Sequence, residues 1–180
     1  MFEEEIIFAD EPAEYPEGER ETSCCFSGHR VMSKQERERL LYRLRSTVLW
    51  LVSKGVVRFH AGGALGFDTI AATTVIDIKR KEPDVKLILD LPYKSQTRNW
   101  SDGDKRIYDF ILENADKVSF CGKDPNSREE ASGLLHKRNR ILVDSCAYCV
   151  CYMKNSKGGT AYTVDYAKKK DLEIINLAGE

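Results

Sequence analysis

The chain predicts a three-layer α/β fold, with a mostly parallel sheet and helices on both faces. Two observations carry that expectation. Short apolar runs of strand length alternate with longer segments whose apolar residues recur at helical spacing, and the links between them are short. Two glycine-rich turns, Gly62-Gly63-Ala64-Leu65-Gly66-Phe67-Asp68 and Lys157-Gly158-Gly159-Thr160, each follow a strand-like run and open a helix-like one.

The elements follow in order. Residues 22–27 form a first strand that ends in Gly28-His29-Arg30. Ser33 starts a helix with a capping-box pattern, Ser33-Lys34-Gln35-Glu36, in which Ser33 and Glu36 satisfy each other's free backbone N–H groups. Leu40, Leu41, Leu44, Val48 and Leu51 make its apolar face, and Gly55 stops it. Residues 56–61 are the second strand, followed at once by the first glycine turn. The next helix covers residues 67–81, packs Ile70, Val75 and Ile78, and is closed by Pro83. Residues 85–91 are apolar except for Lys86 and Asp90, as in a strand covered on both faces. Pro92 ends it, and a polar loop over residues 93–100 leads to a helix carrying Ile107, Phe110 and Ile111. Residues 117–121 give a fourth strand and residues 129–146 a fourth helix. Residues 147–153 make the fifth strand. The second glycine turn, a helix over 160–170 and a strand over 172–177 complete the pattern.

At 180 residues the chain is expected to hold a single domain, spanning residues 22–180. Residues 1–21 stand apart, with nine acids against one base, Arg20, for a net charge of −8. The whole chain carries −1, so residues 22–180 carry +7. With Pro12 and Pro16 inside it and no helical or alternating pattern, the acidic segment is expected to be a flexible arm. The moderately basic body suits anionic ligands. No apolar run approaches the ~20 residues of a membrane helix, and Met1-Phe2-Glu3-Glu4-Glu5 lacks the basic region of a secretory signal. A cytoplasmic location without a membrane partner is the expectation. The six cysteines, Cys24, Cys25, Cys121, Cys146, Cys149 and Cys151, read as buried thiols. Cys146-Ala147-Tyr148-Cys149 has CxxC spacing, but it is expected to enter a strand, where positions i and i+3 face opposite sides. No second CxxC or His pair completes a zinc site, so no metal is expected.

The chemistry lies in the glycine turns. Glycine lets a backbone approach a ligand closely, and the helix start behind it offers free N–H groups and partial positive charge to a phosphate. In a parallel sheet, ligands bind beyond the carboxyl ends of the strands, and the loops after strands one, two, three and five lie there. Phosphate is therefore expected on the N–H groups around Gly62-Gly63 and Gly159-Thr160. Arg30 and His29 share that edge. Arg138 offers a planar fork matched to phosphate, or else pairs on the surface with Asp144. Asp68 caps the helix start or orients a ribose or base, and Trp100 with Tyr93 stacks on a base or anchors its loop. The first turn is not the dinucleotide fingerprint, which needs G-x-G-x-x-G after the first strand. Nor is it a P-loop, since no Gly-Lys-Ser/Thr occurs.

Taken together, the motifs make a more specific pattern. They are Cys25-Phe26-Ser27-Gly28-His29-Arg30, the run from His60 to Asp68, Pro92 with Gln96 and Trp100, Arg138-Asn139 with Val143-Asp144, and Gly158-Gly159-Thr160. In this order they resemble the YpsA/YspA-like family of the SLOG superfamily, which joins the Smf/DprA proteins with the LOG phosphoribohydrolases. The resemblance covers about residues 22–177. It implies a Rossmann-like fold and a nucleotide or ADP-ribose-like ligand at the strand ends. The residues that would hold it are Gly28, His29, Arg30, Gly62, Gly63, Gly66, Asp68, Arg138, Asn139, Gly158, Gly159 and Thr160.

LOG enzymes cleave the N-glycosidic bond of nucleoside monophosphates with an Arg, here matched by the Arg138-Asn139 position, and the Glu of a P-G-G-x-G-T-x-x-E pattern. Aligned on the two glycines, that Glu falls at Val164, with Asp165 one position off. Glycosidic cleavage needs a carboxylate beside the ribose. The expectation is therefore a domain that senses or sequesters a nucleotide, with no catalytic residue assigned. A phosphoribohydrolase is the alternative, with Asp68 or Asp144 substituting for the Glu. Smf/DprA-like binding of single-stranded DNA comes third, because no Arg/Lys–aromatic cluster stands out and an acidic arm would compete for a basic groove. No cofactor is expected beyond Mg²⁺ carried by a polyphosphate ligand. A homodimer is expected by analogy with related folds.

Overall fold

The computed structural model describes residue 16 and residues 18–179. Most of the acidic arm expected over residues 1–21 lies outside the described residues. Its last part is held to the body: Arg20 Nη2 donates to the Lys170 carbonyl at 2.9 Å, and Arg58 pairs with Glu19 at 3.3 Å.

The described chain alternates strand and helix throughout. The strands are β1 Ser23–Gly28, β2 Arg58–Ala61, β3 Lys86–Leu91, β4 Lys117–Phe120, β5 Tyr148–Tyr152 and β6 Glu173–Asn176. The helices are α1 Lys34–Ser53, α2 Phe67–Lys79, α3 Asp102–Asn114, α4 Arg128–Asp144 and α5 Gly159–Lys169. The strands form one sheet in the order β4-β3-β2-β1-β5-β6, and each neighbouring pair is parallel. This is the Rossmann-like fold the resemblance implies, with a sheet that is wholly rather than mostly parallel.

Side-chain alternation along β1 divides the core. Cys24 and Phe26 face α1, α2 and α3, while Cys25 faces α4 and α5. The chain steps outward from β1 to β4, then returns to place β5 on the other side of β1. The connections leaving β1 and β5 therefore run to opposite faces. The crevice this opens at their carboxyl ends is where such sheets bind ligands.

Local chemistry sets the helix ends. At α1, Glu36 N–H donates to Ser33 Oγ at 3.2 Å and Ser33 N–H donates to Glu36 Oε2 at 2.7 Å, the reciprocal cap read from the sequence. At its other end Gly55 N–H donates to the Val52 carbonyl at 3.0 Å and Val56 N–H to the Leu51 carbonyl at 3.1 Å. These two bonds are the Schellman pair that closes a helix on glycine.

Three expectations are corrected. Leu41 is exposed, because the buried stripe of α1 is Leu40, Leu44, Val48 and Leu51, and Leu41 lies about 100° around from Leu40. In α3, Ile107 and Phe110 are exposed while Tyr108 and Ile111 face the core, so the inward stripe sits one position on. Cys146 precedes β5 in the turn after α4, and strand parity therefore does not separate it from Cys149. The thiols of Cys25, Cys146 and Cys149 meet under α4 and α5, where all three are buried. Contact with Cys146 and burial push the Cys25 thiol up, and burial raises that of Cys146 to about 11, so both sulfurs stay protonated. Among the described residues, no group of three or more His, Cys, Asp or Glu is arranged to hold a metal.

Candidate functional site

The loops after β1, β2 and β5 form one braced floor at the carboxyl edge. His29 is the central brace. Its N–H donates to the Tyr152 carbonyl at 3.3 Å, and its carbonyl accepts from Phe67 N–H at 3.1 Å. Its ring Nε2 accepts from Lys154 N–H at 2.8 Å. One residue thus touches the first glycine turn, at Phe67, and the start of the loop that leads to the second, at Lys154. Gly28 contributes by lacking a side chain: a Cβ there would collide with the ring of Phe67, which stacks on Tyr152. Glu36 reaches over from α1 to pair with Lys154 Nζ and to accept from Tyr152 Oη at 3.4 Å.

The first glycine turn is filled from within. Arg138, 6% exposed, crosses from α4 and donates through Nη1 to the Gly62 carbonyl, and the same nitrogen lies 3.5 Å from Asp68 Oδ2. A Cβ on Gly62 would be 2.6 Å from Arg138 Cζ and closer still to Nη1. Ala64 N–H donates to Asp68 Oδ2 at 3.2 Å, so a carboxylate already occupies part of the N–H set that a phosphate would need. Gly63 packs against Leu91 and Gln96, whose Nε2 donates to Tyr108 Oη at 3.0 Å.

Burial dominates the electrostatics here. It pushes the Asp68 carboxyl above its ordinary range, with the Arg138 charge and the Ala64 N–H pulling it back only in part. Burial likewise lowers the Arg138 guanidinium, against the pull of Asp68. Nε of Arg138 is buried without a partner.

The second turn is open. Residues 154–159 are exposed, with Lys154 and Lys157 among them. Gly158 caps α5 without a side-chain hydrogen bond, and the first turn of α5 carries no acid. Among the described residues, each of the other four α-helices has a carboxylate in its first turn. A Cβ on Gly158 or Gly159 would meet nothing within 4 Å. The positive φ of Gly158, +94°, accounts for that glycine. Gly159 has no such conformational reason, and nothing stands where its Cβ would be. The two turns that look alike in sequence therefore differ: the fold occupies the first, and the second faces solvent with its helix charge uncompensated.

The remaining candidates fall around this floor. Arg30 is exposed beside the first turn, close enough for its charge to act on Asp68 and Arg138. Thr160 is buried and Asn139 half-buried. Arg138 is not the surface partner of Asp144. Asp144 lies at the far end of α4, where it accepts from Tyr166 Oη at 3.0 Å and pairs with Lys170 at 3.2 Å. It is therefore no substitute for the missing glutamate. Val164, at the position expected for that glutamate, is buried in the core, and Asp165 points outward to pair with Lys168 at 3.6 Å. Trp100 packs edge-on against Tyr108 at 5.5 Å and on the core, which makes it the loop anchor.

Two contributors have no signal in the sequence pattern. Asn176 clamps the end of β5, accepting from Met153 N–H at 3.1 Å and donating to its carbonyl at 3.0 Å. His60 and Asp90 form a buried pair at 2.8 Å, with Ser119 Oγ donating to the other carboxylate oxygen at 2.9 Å. Burial raises Asp90, but the hydrogen bond and charge of His60, with Ser119, outweigh it and hold the carboxyl below its ordinary value.

Comparison with known proteins agrees with this architecture. The family model described as YpsA, YspA SLOG family, matches residues 28–176. The chain is 35% identical over 124 residues to the uncharacterised SPbeta prophage-derived protein YoqJ of Bacillus subtilis, covering 64% of this chain and 71% of that one. It is 32% identical over 127 residues to a UPF0398 protein of Halalkalibacterium halodurans, covering 70% of this chain and 66% of that one. Among solved structures, DNA processing protein A (DprA) from Streptococcus pneumoniae superposes with a TM-score of 0.64 at 18% identity. That match covers 89% of this chain, which spans about half of the other, 51%. A DprA from Helicobacter pylori, whose single-stranded DNA binding mode its structure describes, gives a TM-score of 0.58 at 17% identity, covering 84% of this chain and 63% of that one. Among the described residues no helix is long and apolar enough to cross a membrane.

Proposed function

The chain belongs to the YspA SLOG family, and from that premise we propose that it binds the phosphate of a nucleotide or ADP-ribose-like ligand at the N-terminus of α5, sensing or sequestering that ligand. The observation that carries this reading is the open second turn: an acid-free helix start with no side-chain cap, where a Cβ on Gly159 would meet no protein atom within 4 Å, at the crevice beside β1 and β5. Lys157 and Arg30 add exposed positive charge on the same edge, and Lys154, paired with Glu36, stands beside them. The first turn acts as a buttress, since Asp68 and Arg138 fill it. Mg²⁺ would come only with a polyphosphate ligand.

Two facts weigh against nucleotide hydrolysis of the LOG type. The glutamate position is a buried valine, and Asp68, the acid nearest the turns, is committed to Arg138 and to Ala64 N–H. Single-stranded DNA would also bring phosphate to α5, but such binding draws on stacking aromatics, and Trp100 is packed inward.

The test is a thermal-shift screen against nucleoside mono-, di- and triphosphates, NAD, ADP-ribose and a short single-stranded oligonucleotide, with chromatography of each mixture for released base. A ligand at ~100 times its dissociation constant adds about 2.7 kcal/mol. The expected result is a shift with AMP- or ADP-ribose-like ligands and no free base. Free base would move the protein to the hydrolases, and a shift with the oligonucleotide alone would replace the nucleotide reading.

A further inference from the structure

We propose that His29 is a proton-sensitive latch between the first glycine turn and the loop that leads into the second, so that ligand binding at α5 weakens as its imidazole protonates; this rests on the reading of α5 as the phosphate site. The backbone of His29 holds Phe67, the first residue of α2, and its side chain holds Lys154, where the loop to α5 begins. A neutral imidazole has one acceptor nitrogen. Here Nε2 accepts from Lys154 N–H at 2.8 Å, so the proton sits on Nδ1. A second proton turns Nε2 into a donor aimed at a donor. Lys154 N–H then loses its acceptor, and the exposed run from Lys154 to Gly158 loses its tie to β1.

The charged surroundings act in both directions. Arg30 follows His29 in the chain, and the Lys154 side chain brings a second positive charge. Glu36 of α1 is bound to Lys154 Nζ and to Tyr152 Oη. Tyr152 of β5 presents its ring edge-on at 6.3 Å, and α2 offers Phe67, which carries no charge. Imidazole is the side chain whose unperturbed titration falls in the physiological range. A His29 that instead met the ligand's phosphate directly would show the opposite sign, with binding strengthened by acid.

The test begins without ligand. Amide NMR and hydrogen exchange on the labelled chain, from about pH 8 to about pH 5.5, follow Lys154 N–H and the His29 ring. The expected result is a Lys154 resonance that tracks the His29 titration, with protection falling about tenfold. His29→Gln places an amide oxygen near Nε2 and is expected to abolish the pH dependence. His29→Phe is expected to show low protection at every pH. Calorimetric titration of the wild type with AMP and ADP-ribose is expected to weaken about tenfold over the same window.

A Lys154 amide indifferent to His29, or affinity that rises on acidification, overturns the latch. A Lys154 amide that tracks His29 in a chain that binds neither AMP nor ADP-ribose at pH 8 overturns the α5 reading instead, and with it the regulatory half of the proposal.

Discussion

Arg138→Ala is expected to cost about 3–5 kcal/mol of folding stability, the largest loss from a single side chain in the site. The reason is the charge it leaves behind. Asp68 is 5% exposed, and Arg138 is its nearest counter-charge. Truncation also deprives the Gly62 carbonyl of its donor and empties the space against which the glycine packs.

The sign of the pH dependence follows from Asp68. Burial already raises its folded-state carboxyl, and losing Arg138 raises it further. The folded variant then binds a proton more tightly than the unfolded chain, whose carboxyl titrates at ~3.9. Its deficit is therefore greatest near neutral pH and shrinks as pH falls toward that value. Urea unfolding at pH 7 and near pH 4.5 measures both quantities. The double variant Arg138→Ala/Asp68→Asn should recover about 1–2 kcal/mol, because the uncompensated charge is gone. A loss under about 1 kcal/mol that does not change with pH would mean that the pair does not buttress the turn.

Gly66→Ala is expected to cost about 3 kcal/mol or more. Gly66 has φ +81° and ψ −118°, a region essentially closed to residues with a Cβ. The added carbon would also collide with the Arg30 backbone, which cannot swing aside as a side-chain tip can. Phe67 N–H is tied to the His29 carbonyl one residue on, so the strain would reach the β1 loop. Thermal or urea unfolding reads the loss directly. A variant as stable as the wild type would mean that the two loops are not packed as described.

How far this was legible in the sequence depends on the kind of signal. Strand and helix order came from periodicity, and the ends of α1 from Ser33, Glu36 and Gly55, because caps and glycine stops are local chemistry. Faces were less legible where apolar residues are adjacent. Leu40 and Leu41, or Ile107 and Tyr108, differ only by one step of rotation, and tertiary packing decides which turns inward.

The glycine turns themselves could be found, but not told apart. Nothing local says that Arg138, 76 residues further along the chain, fills the first. Its burial and its partner Asp68 are consequences of topology, as are the His60–Asp90 pair and the Asn176 clamp. The exposed carboxylate of Asp165 also required the fold, since only the direction of α5 shows that Val164 is the residue facing inward.

The most direct test of the account is calorimetric titration of AMP and ADP-ribose into the wild type and Gly159→Val, alongside their unfolding curves. A Cβ at this exposed position meets nothing within 4 Å, so stability should stay within about 0.5 kcal/mol. It would project into the space given to the phosphate, and affinity should fall by at least about 100-fold, roughly 2.7 kcal/mol. A stable variant that binds the ligand as tightly as the wild type would contradict the placement of the site at α5.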